Sequence, residues 1–363
     1  MLGAMQVFHC DHCGHLVFFD SVQCMHCGST LAFLPDRLRM GALEPSPEAG
    51  AGLWRRSGAA NDEARYRQCY NQTTWGACNF AVPAASPHLL CVACRQTRLL
   101  PDLSDTGHRQ HWIKIEAAKR QLFYTLARLG LQSVTDAPQP DSGPTYAFLA
   151  DQPGAPAIVT GHHSGTITLN VAEADDEERA RRRQALHEPY RTLIGHLRHE
   201  SGHYYWDRLI RDTGRLEPFR TLFGDERQDY AAALQAHYAR APGQDWHPHH
   251  VSAYAAAHPW EDWAETWAHY LHLVDLLETA AAYATGLDVP GTAPAVHENV
   301  RDPFATPPPD FDTMVRQWVP LTLLLNSLNR SLGQQDAYPF ALSAGALRKL
   351  RFVHDTVAQA TTG

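Results

Sequence analysis

A chain of 363 residues can bury a large core and form more than one domain. Its 44% apolar and 19% charged residues exclude a disordered chain, and its net charge of −8 gives no electrostatic basis for binding nucleic acid. Met1 to Cys10 lacks the basic and apolar regions of a signal peptide, and no run of about 18 apolar residues exists, so a soluble cytoplasmic protein without a membrane partner is expected.

The first element is a pair of knuckles, Cys10-Asp-His-Cys13 and Cys24-Met-His-Cys27, each followed by a glycine, Gly14 or Gly28. Two thiolates at this spacing close a tight turn around a metal, and the glycine lets backbone N–H groups turn toward sulfur. Leu16 to Phe19 and the residues before Cys24 suit a short hairpin. Residues 1–34 read as a zinc ribbon. Two disulfides would need an oxidising compartment, and iron in a rubredoxin-like site is the alternative metal. Residues 35–62, with Pro35, Pro45 and Pro47 and few large apolar side chains, read as a linker. Residues 63–97 hold the other four cysteines, Cys69, Cys78, Cys91 and Cys94, which make a second four-cysteine zinc module. The competing reading is that Cys69 or Cys78 is an ordinary buried thiol.

Residues 98–363 are expected to form one domain. A helical stripe runs over residues 112–132, ending at Gly130. Residues 136–144 are turn-like, and strands are expected over 145–150 and 165–171. The second strand, just before the central motif, suits either a sheet edge that pairs with a peptide or a plain sheet strand. Acidic Asp175 to Glu178 and basic Arg179 to Arg183 form a self-neutralising, solvated segment.

The central motif is His199-Glu200-Ser201-Gly202-His203, an H-E-x-x-H sequence. Leu193, Leu197, Tyr204, Leu209 and Ile210 recur around it at helical spacing, and Pro189 suits the start of that run. On a helix, positions i and i+4 share one face, so His199 and His203 can grip one Zn²⁺ while Glu200 takes a proton from zinc-activated water. Phe219 to Arg227 reads as a turn, residues 229–238 as a short helix, and residues 243–250 as a loop whose His247, His249 and His250 are solvated.

A hydrolytic zinc needs a third protein ligand and an open position. Trp206 and Leu209 stand where a metzincin has glycine and its third histidine, which excludes that class. The third ligand is sought in Val251 to His272. Pro259 opens a helix there, Glu261 and Asp262 follow as first-turn acids, and Trp260, Trp263, Trp267 and Leu271 give an apolar face. Glu261 and Glu265, four apart, match the E-x-x-x-E arrangement in which gluzincins use one carboxylate for zinc and one to orient a ligand imidazole; the alternative is a solvated acidic face on a surface helix. Asp262, Glu265, His258 and His269 are rival third ligands. Tyr254, seven residues before Glu261, can donate to an oxyanion or serve only in packing. Two helices close the chain, Phe311 to Leu332 and Leu342 to Ala360. Leu321, Leu324, Leu325 and Leu328 form an apolar face that packs on the preceding domain.

The C-x-x-C-G pair, His199 to Trp206, Phe223 to Glu226 and Trp260 to His272 together resemble a bacterial family of zinc-binding metallopeptidases with an N-terminal zinc-ribbon region. The segment from Ser252 to Glu265 is also similar to the active-site half of anthrax-lethal-factor-like gluzincins. That similarity implies that Glu261 is the third ligand, Glu265 the carboxylate behind an imidazole and Tyr254 the oxyanion donor. The 58-residue gap from His203 to Glu261 departs from a thermolysin layout, so cleft details do not carry over. The expected fold is α+β: a zincin-like, mainly helical catalytic domain with a small sheet, behind small zinc-ribbon or rubredoxin-like modules of four cysteines each. The expected function is a peptidase acting on a peptide or protein substrate, with one catalytic and two structural Zn²⁺ and Glu200 as general base. The alternatives are a zinc-ribbon module that binds a protein partner beside a vestigial site, or a redox sensor in which cysteine oxidation gates the peptidase.

Overall fold

Strands of two or three residues cannot cohere by themselves, and in the N-terminal third a shared aromatic and sulfur core holds them. The computed structural model describes residues 6–47, 50, 52–58, 64–136, 143–185, 192–239, 245–288 and 298–361. The chain divides into two units, Met1–Val159 with Thr168–Ala174, and Thr160–Ile167 with Asp175–Gly363. Among the described residues no helix is long and apolar enough to cross a membrane.

In the first unit β1 (Phe8–His9) pairs with β2 (Leu16–Val17), so the ribbon's hairpin forms around the first knuckle, not between Leu16 and Cys24. Five antiparallel strands then form a meander: β3 (Thr30–Leu34), β4 (Arg39–Pro45), β5 (Trp54–Arg56), β6 (Arg65–Gln68) and β7 (Ala81–Pro83). A parallel bridge from Phe33 to Phe80 brings the two ends of the meander together.

The stretch expected as a linker, 35–62, therefore supplies two strands. Met40, Ala42 and Leu43 are buried in β4. Their small number hid this strand from a composition argument. Helix α1 (Tyr70–Trp75) follows Cys69, and β8 (Thr97–Leu99) follows Cys94.

Helix α2 (Thr106–Arg128) starts at Asp105, whose side chain accepts from the His108 N–H. It belongs to the first unit. Phe123, Tyr124 and Ala127 of α2 join one buried cluster with Phe8, Phe19, Phe33, Phe80 and cysteines of both sets. Phe33 and Phe80 rings lie 4.6 Å apart, and Phe19 lies 5.0 Å from Phe33 and 5.4 Å from Tyr124. Each such ring, fully buried, contributes about 1.5–3 kcal/mol. β9 (Thr145–Leu149) pairs in parallel with β8.

The second unit begins with β10 (Gly161–His163), joined through Ser164-Gly165 to β11 (Thr166–Asn170), whose C-terminal half returns to the first unit beside β9. β11 has a neighbour on each side, so it is a plain sheet strand and the edge belongs to β10. Helix α3 (Asp176–Ala185) takes up the acidic and basic segment. Pro189 lies outside the described residues.

Helix α4 (Leu193–Trp206) carries the H-E-x-x-H motif. Thr192 caps it by accepting from the Gly195 N–H, and a π-helical turn, Asp207–Arg211, extends it. Helix α5 (Leu216–Phe223) takes residues expected to be a turn; Phe219 and Phe223 are its buried side chains. Helix α6 (Tyr230–Ala239) has no buried residue. A 3₁₀ turn, Tyr254–Ala257, leads into α7 (Pro259–Ala282). β12 (Gly286–Leu287) and β13 (Glu298–Asn299) form a small pair before α8 (Phe311–Ser331) and α9 (Ala344–Thr361).

The buried stripe of α8 is Phe311, Met314, Gln317, Trp318 and Leu321, while Leu324 and Leu328 are exposed. The expected packing face was thus right only at Leu321. Both stripes are apolar at helical spacing, and Asn326, which bonds the Tyr338 backbone, belongs to the inner one.

Helices α4 and α7 pack at close range because α4 offers small residues to large ones. A Cβ on Gly202 would stand 2.9 Å from the Ala264 Cα and 3.1 Å from Trp267 Cδ1. The Trp263 indole donates to the Gly202 carbonyl at 2.9 Å, and the Trp267 indole donates to Ser201 Oγ at 3.0 Å. The two unspecified positions of the motif are therefore the contact between helices, and that contact sets the distance from the imidazoles to the carboxylates of α7.

Candidate metal centres

In the first unit Cys10, Cys13, Cys24 and Cys27 converge, as do Cys69, Cys78, Cys91 and Cys94. Four sulfurs each about 2.3 Å from one zinc stand about 3.8 Å apart at tetrahedral angles. Cys10 to Cys27 is 3.8 Å and Cys13 to Cys24 is 3.7 Å. In the second set, Cys78 to Cys91 is 3.7 Å and Cys94 to Cys78 is 3.6 Å. A disulfide brings its sulfurs to about 2.05 Å, and all eight cysteines are free.

The knuckles supply the local geometry. The Gly14 N–H donates to the Cys10 carbonyl and the Gly28 N–H to the Cys24 carbonyl, each at 2.8 Å, with φ of 72° and 75° at the two glycines. In the second set the Phe80, Cys91 and Cys94 N–H groups donate to sulfur at 3.3–3.4 Å. Arg120, on α2, is buried nearby and donates to the Ala77 carbonyl at 2.7 Å. Burial works against its charge, but the negative sulfurs of Cys78 and Cys94, with Glu116, outweigh it and raise its pKa. A buried cation suits four thiolates around one divalent ion, a net dianion.

In the second unit the convergent group is His199, His203 and Glu261. Glu261 Oε2 lies 3.0 Å from His199 Nε2 and 3.5 Å from His203 Nε2. Three donors each about 2.0–2.1 Å from one zinc stand about 3.3–3.4 Å apart. Glu261 is 1% exposed, and its Oε2 has no hydrogen-bond partner among the described residues. A buried carboxylate oxygen facing two imidazole nitrogens needs a positive charge beside it, either a protonated imidazole or a metal ion held between the three groups. The donor set and its spacing fit zinc.

Around these three, Glu265 Oε1 lies 2.8 Å from His199 Nδ1, which puts the proton on Nδ1 and leaves Nε2 for a metal. Ser252 Oγ donates to the other oxygen of Glu265 at 2.6 Å and accepts from the Ala255 N–H at 3.0 Å, tying the 3₁₀ turn to α7. The Tyr254 ring, on that turn, lies 5.9 Å from His199. Burial, then the Glu261 charge, pushes the Tyr254 phenol well up, so it stays a donor. Glu200 is buried, and its Oε2 has no partner among the described residues. Burial raises its pKa, against the pull of His199 and His203.

The rival ligands are engaged elsewhere. Asp262 pairs with Lys349, His258 caps α7 by accepting from the Trp260 N–H, and His269 bonds the Tyr338 hydroxyl. Of the loop histidines, His250 lies 3.7 Å from Asp262, and none of the three joins the group.

Three neighbours were not foreseen as part of the site. Trp260 packs on His203 with centroids 3.8 Å apart and the rings tilted by 36°, having been expected only as part of an apolar face. His162, on β10, faces His203 at 6.4 Å, and burial pulls its pKa down to about 4. The Tyr230 hydroxyl, on α6, donates to Glu261 Oε1 at 2.7 Å. No spacing rule links Tyr230 or His162 to the motif, because each comes from a separate element.

Comparison with known proteins divides the chain between the cysteine sets and the H-E-x-x-H region, with the boundary at residues 105–108. The model of a family described as "putative zinc-binding metallo-peptidase" matches residues 108–356. A zinc-ribbon domain model matches residues 7–105, spanning both cysteine sets. Proteins of Mycobacterium bovis and of two strains of Mycobacterium tuberculosis, each named only as uncharacterized, are 39% identical over 354 residues. The alignment covers 97% of this chain and 95% of each relative. No solved structure matches.

Proposed function

This chain belongs to the zinc-binding metallopeptidase family whose model it matches, and on that premise we propose that it hydrolyses peptide bonds at His199, His203 and Glu261. The observation that carries the reading is the orphaned, buried Glu261 Oε2 held 3.0 and 3.5 Å from two imidazole nitrogens. Three zinc ions per chain belong to the proposal, one here and one in each cysteine set. Bound at this centre, zinc supplies a Lewis acid that acidifies water and polarises the scissile carbonyl.

The chain's own groups do the rest. His199 and His203 present Nε2, with Glu265 holding the tautomer of His199. Glu200 takes the proton of the attacking water, since its buried Oε2 has a free lone pair and its raised pKa makes it a stronger base. It then delivers that proton to the leaving amine. Tyr254 donates to the oxyanion. Two zinc sites of four thiolates each suit a reducing compartment, the cytoplasm.

The test is a proteome-derived peptide mixture incubated with wild-type chain and with Glu200→Gln, read by mass spectrometry. New termini with wild type and none with the variant, at equal zinc content, are expected. The same cleavages from both would reject Glu200's role. Two zincs per wild-type chain and no cleavage would favour the alternative, a zinc-ribbon module that binds a protein partner.

A further inference from the structure

We propose that Tyr230 is a positioning residue for this centre: its hydroxyl engages Glu261 Oε1 and so leaves Oε2 as the one carboxylate oxygen turned toward the metal. The inference rests on the metallopeptidase reading and adds a residue from outside the α4–α7 pair. A carboxylate can hold a metal through one oxygen or two. Gripping with both would use the coordination position that a hydrolytic centre keeps open. The Tyr230 hydroxyl lies 2.7 Å from Oε1, while Oε2 is the oxygen that faces His199 and His203. One oxygen is thus occupied by a phenol and the other is left to the imidazole side.

The placement of the ring supports the assignment. It packs edge-on against His258 at 5.3 Å and Trp260 at 5.8 Å. Trp260 in turn packs on His203. The tyrosine is therefore held by the residue that caps α7 and by the residue that braces the second imidazole. It is not there to bury α6. The helix has no buried residue, and Tyr230 itself is 39% exposed although its tip reaches a carboxylate that is 1% exposed. A side chain used only for packing would leave its hydroxyl in water; this hydroxyl is spent on a buried carboxylate. Its hydroxyl is also within hydrogen-bonding reach of Tyr254, whose ring lies beside His199.

The test compares full-length wild type with Tyr230→Phe, which keeps the ring and removes only the hydroxyl. Cobalt is titrated into protein whose cysteine sets hold zinc, and the absence of a thiolate-to-cobalt charge-transfer band certifies that the cysteine sets stay filled. Cobalt affinity at the third site should fall about 10–100-fold in the variant, as for loss of other hydrogen bonds to metal ligands. Its d–d absorption should weaken as the coordination number rises, with unchanged far-ultraviolet circular dichroism. The assignment is overturned if the variant keeps both the wild-type affinity and the wild-type spectrum. A wild-type chain that takes up no cobalt overturns the metallopeptidase reading and Tyr230 with it, and the wild-type titration alone separates that outcome from the first.

Discussion

The two kinds of metal centre differ in how they are built. Each cysteine set draws its donors from a short stretch, residues 10–27 and 69–94, and offers four sulfurs, which close a tetrahedron. The centre in the second unit draws two donors from one turn of α4 and a third from α7, 58 residues after His203, and offers only three. Its surroundings differ as well. Backbone N–H groups serve sulfur in the second cysteine set, whereas Glu265, Ser252, Tyr254 and Tyr230 from separate elements surround the imidazoles and Glu261. Closed, local sites hold a fold together; an open site assembled over distance leaves room for chemistry.

Removing a donor from the closed sites should give the largest effect. Cys91→Ser takes away a fully buried sulfur at 3.7 Å from Cys78, in the core that also holds Phe80 and Phe123. Structural zinc contributes on the order of 10 kcal/mol to small domains, so the first unit should lose its cooperative transition in calorimetry. A second unit that still binds its metal in this variant would sharpen the contrast between the two regions. Next comes Glu200→Gln, with hydrolysis falling by about 10²–10⁴-fold and no change in zinc content, measured by peptide cleavage and by metal analysis.

A smaller effect should follow from acid. His269 is buried on α7, and desolvation lowers its pKa from 6.5 to about 4, with Glu265 opposing. The folded state therefore resists a proton that the unfolded chain accepts below about 6.5. Stability from this group is complete above that value and is lost as pH falls toward 4, by roughly 3 kcal/mol in all. Urea midpoints for the second unit should drop over that range, and His269→Gln should flatten the drop.

The smallest effect tests the helix contact. Gly202→Ala forces a methyl to within 2.9 Å of backbone on α7, which should cost about 1–3 kcal/mol. It should also weaken metal binding between His199, His203 and Glu261 while both cysteine sets keep their zinc. Equal weakening at all three sites would remove the distinction drawn here.

Much of this was legible in the residues for physical reasons. H-E-x-x-H and C-x-x-C-G place their donors by local backbone geometry, so spacing alone locates them. Glu261, Glu265 and Tyr254 were reachable because Pro259 marks the start of α7 and the three share one segment. Tyr230 and His162 were not, since α6 and β10 meet the centre only through tertiary packing. Met40, Ala42 and Leu43 were missed because a glycine- and proline-rich stretch conceals a short strand buried at four successive positions. On α8 two apolar stripes compete, and only the structure separates buried Leu321 from exposed Leu324 and Leu328.

The central claim is that one metal is gathered from α4 and α7 apart from the cysteines. Counting zinc per chain in wild type and in Glu261→Ala after gentle chelation tests it most directly. The account predicts three ions in wild type and two in the variant, with the cysteine-bound pair intact. An unchanged count in the variant would contradict it and move the third ligand away from Glu261.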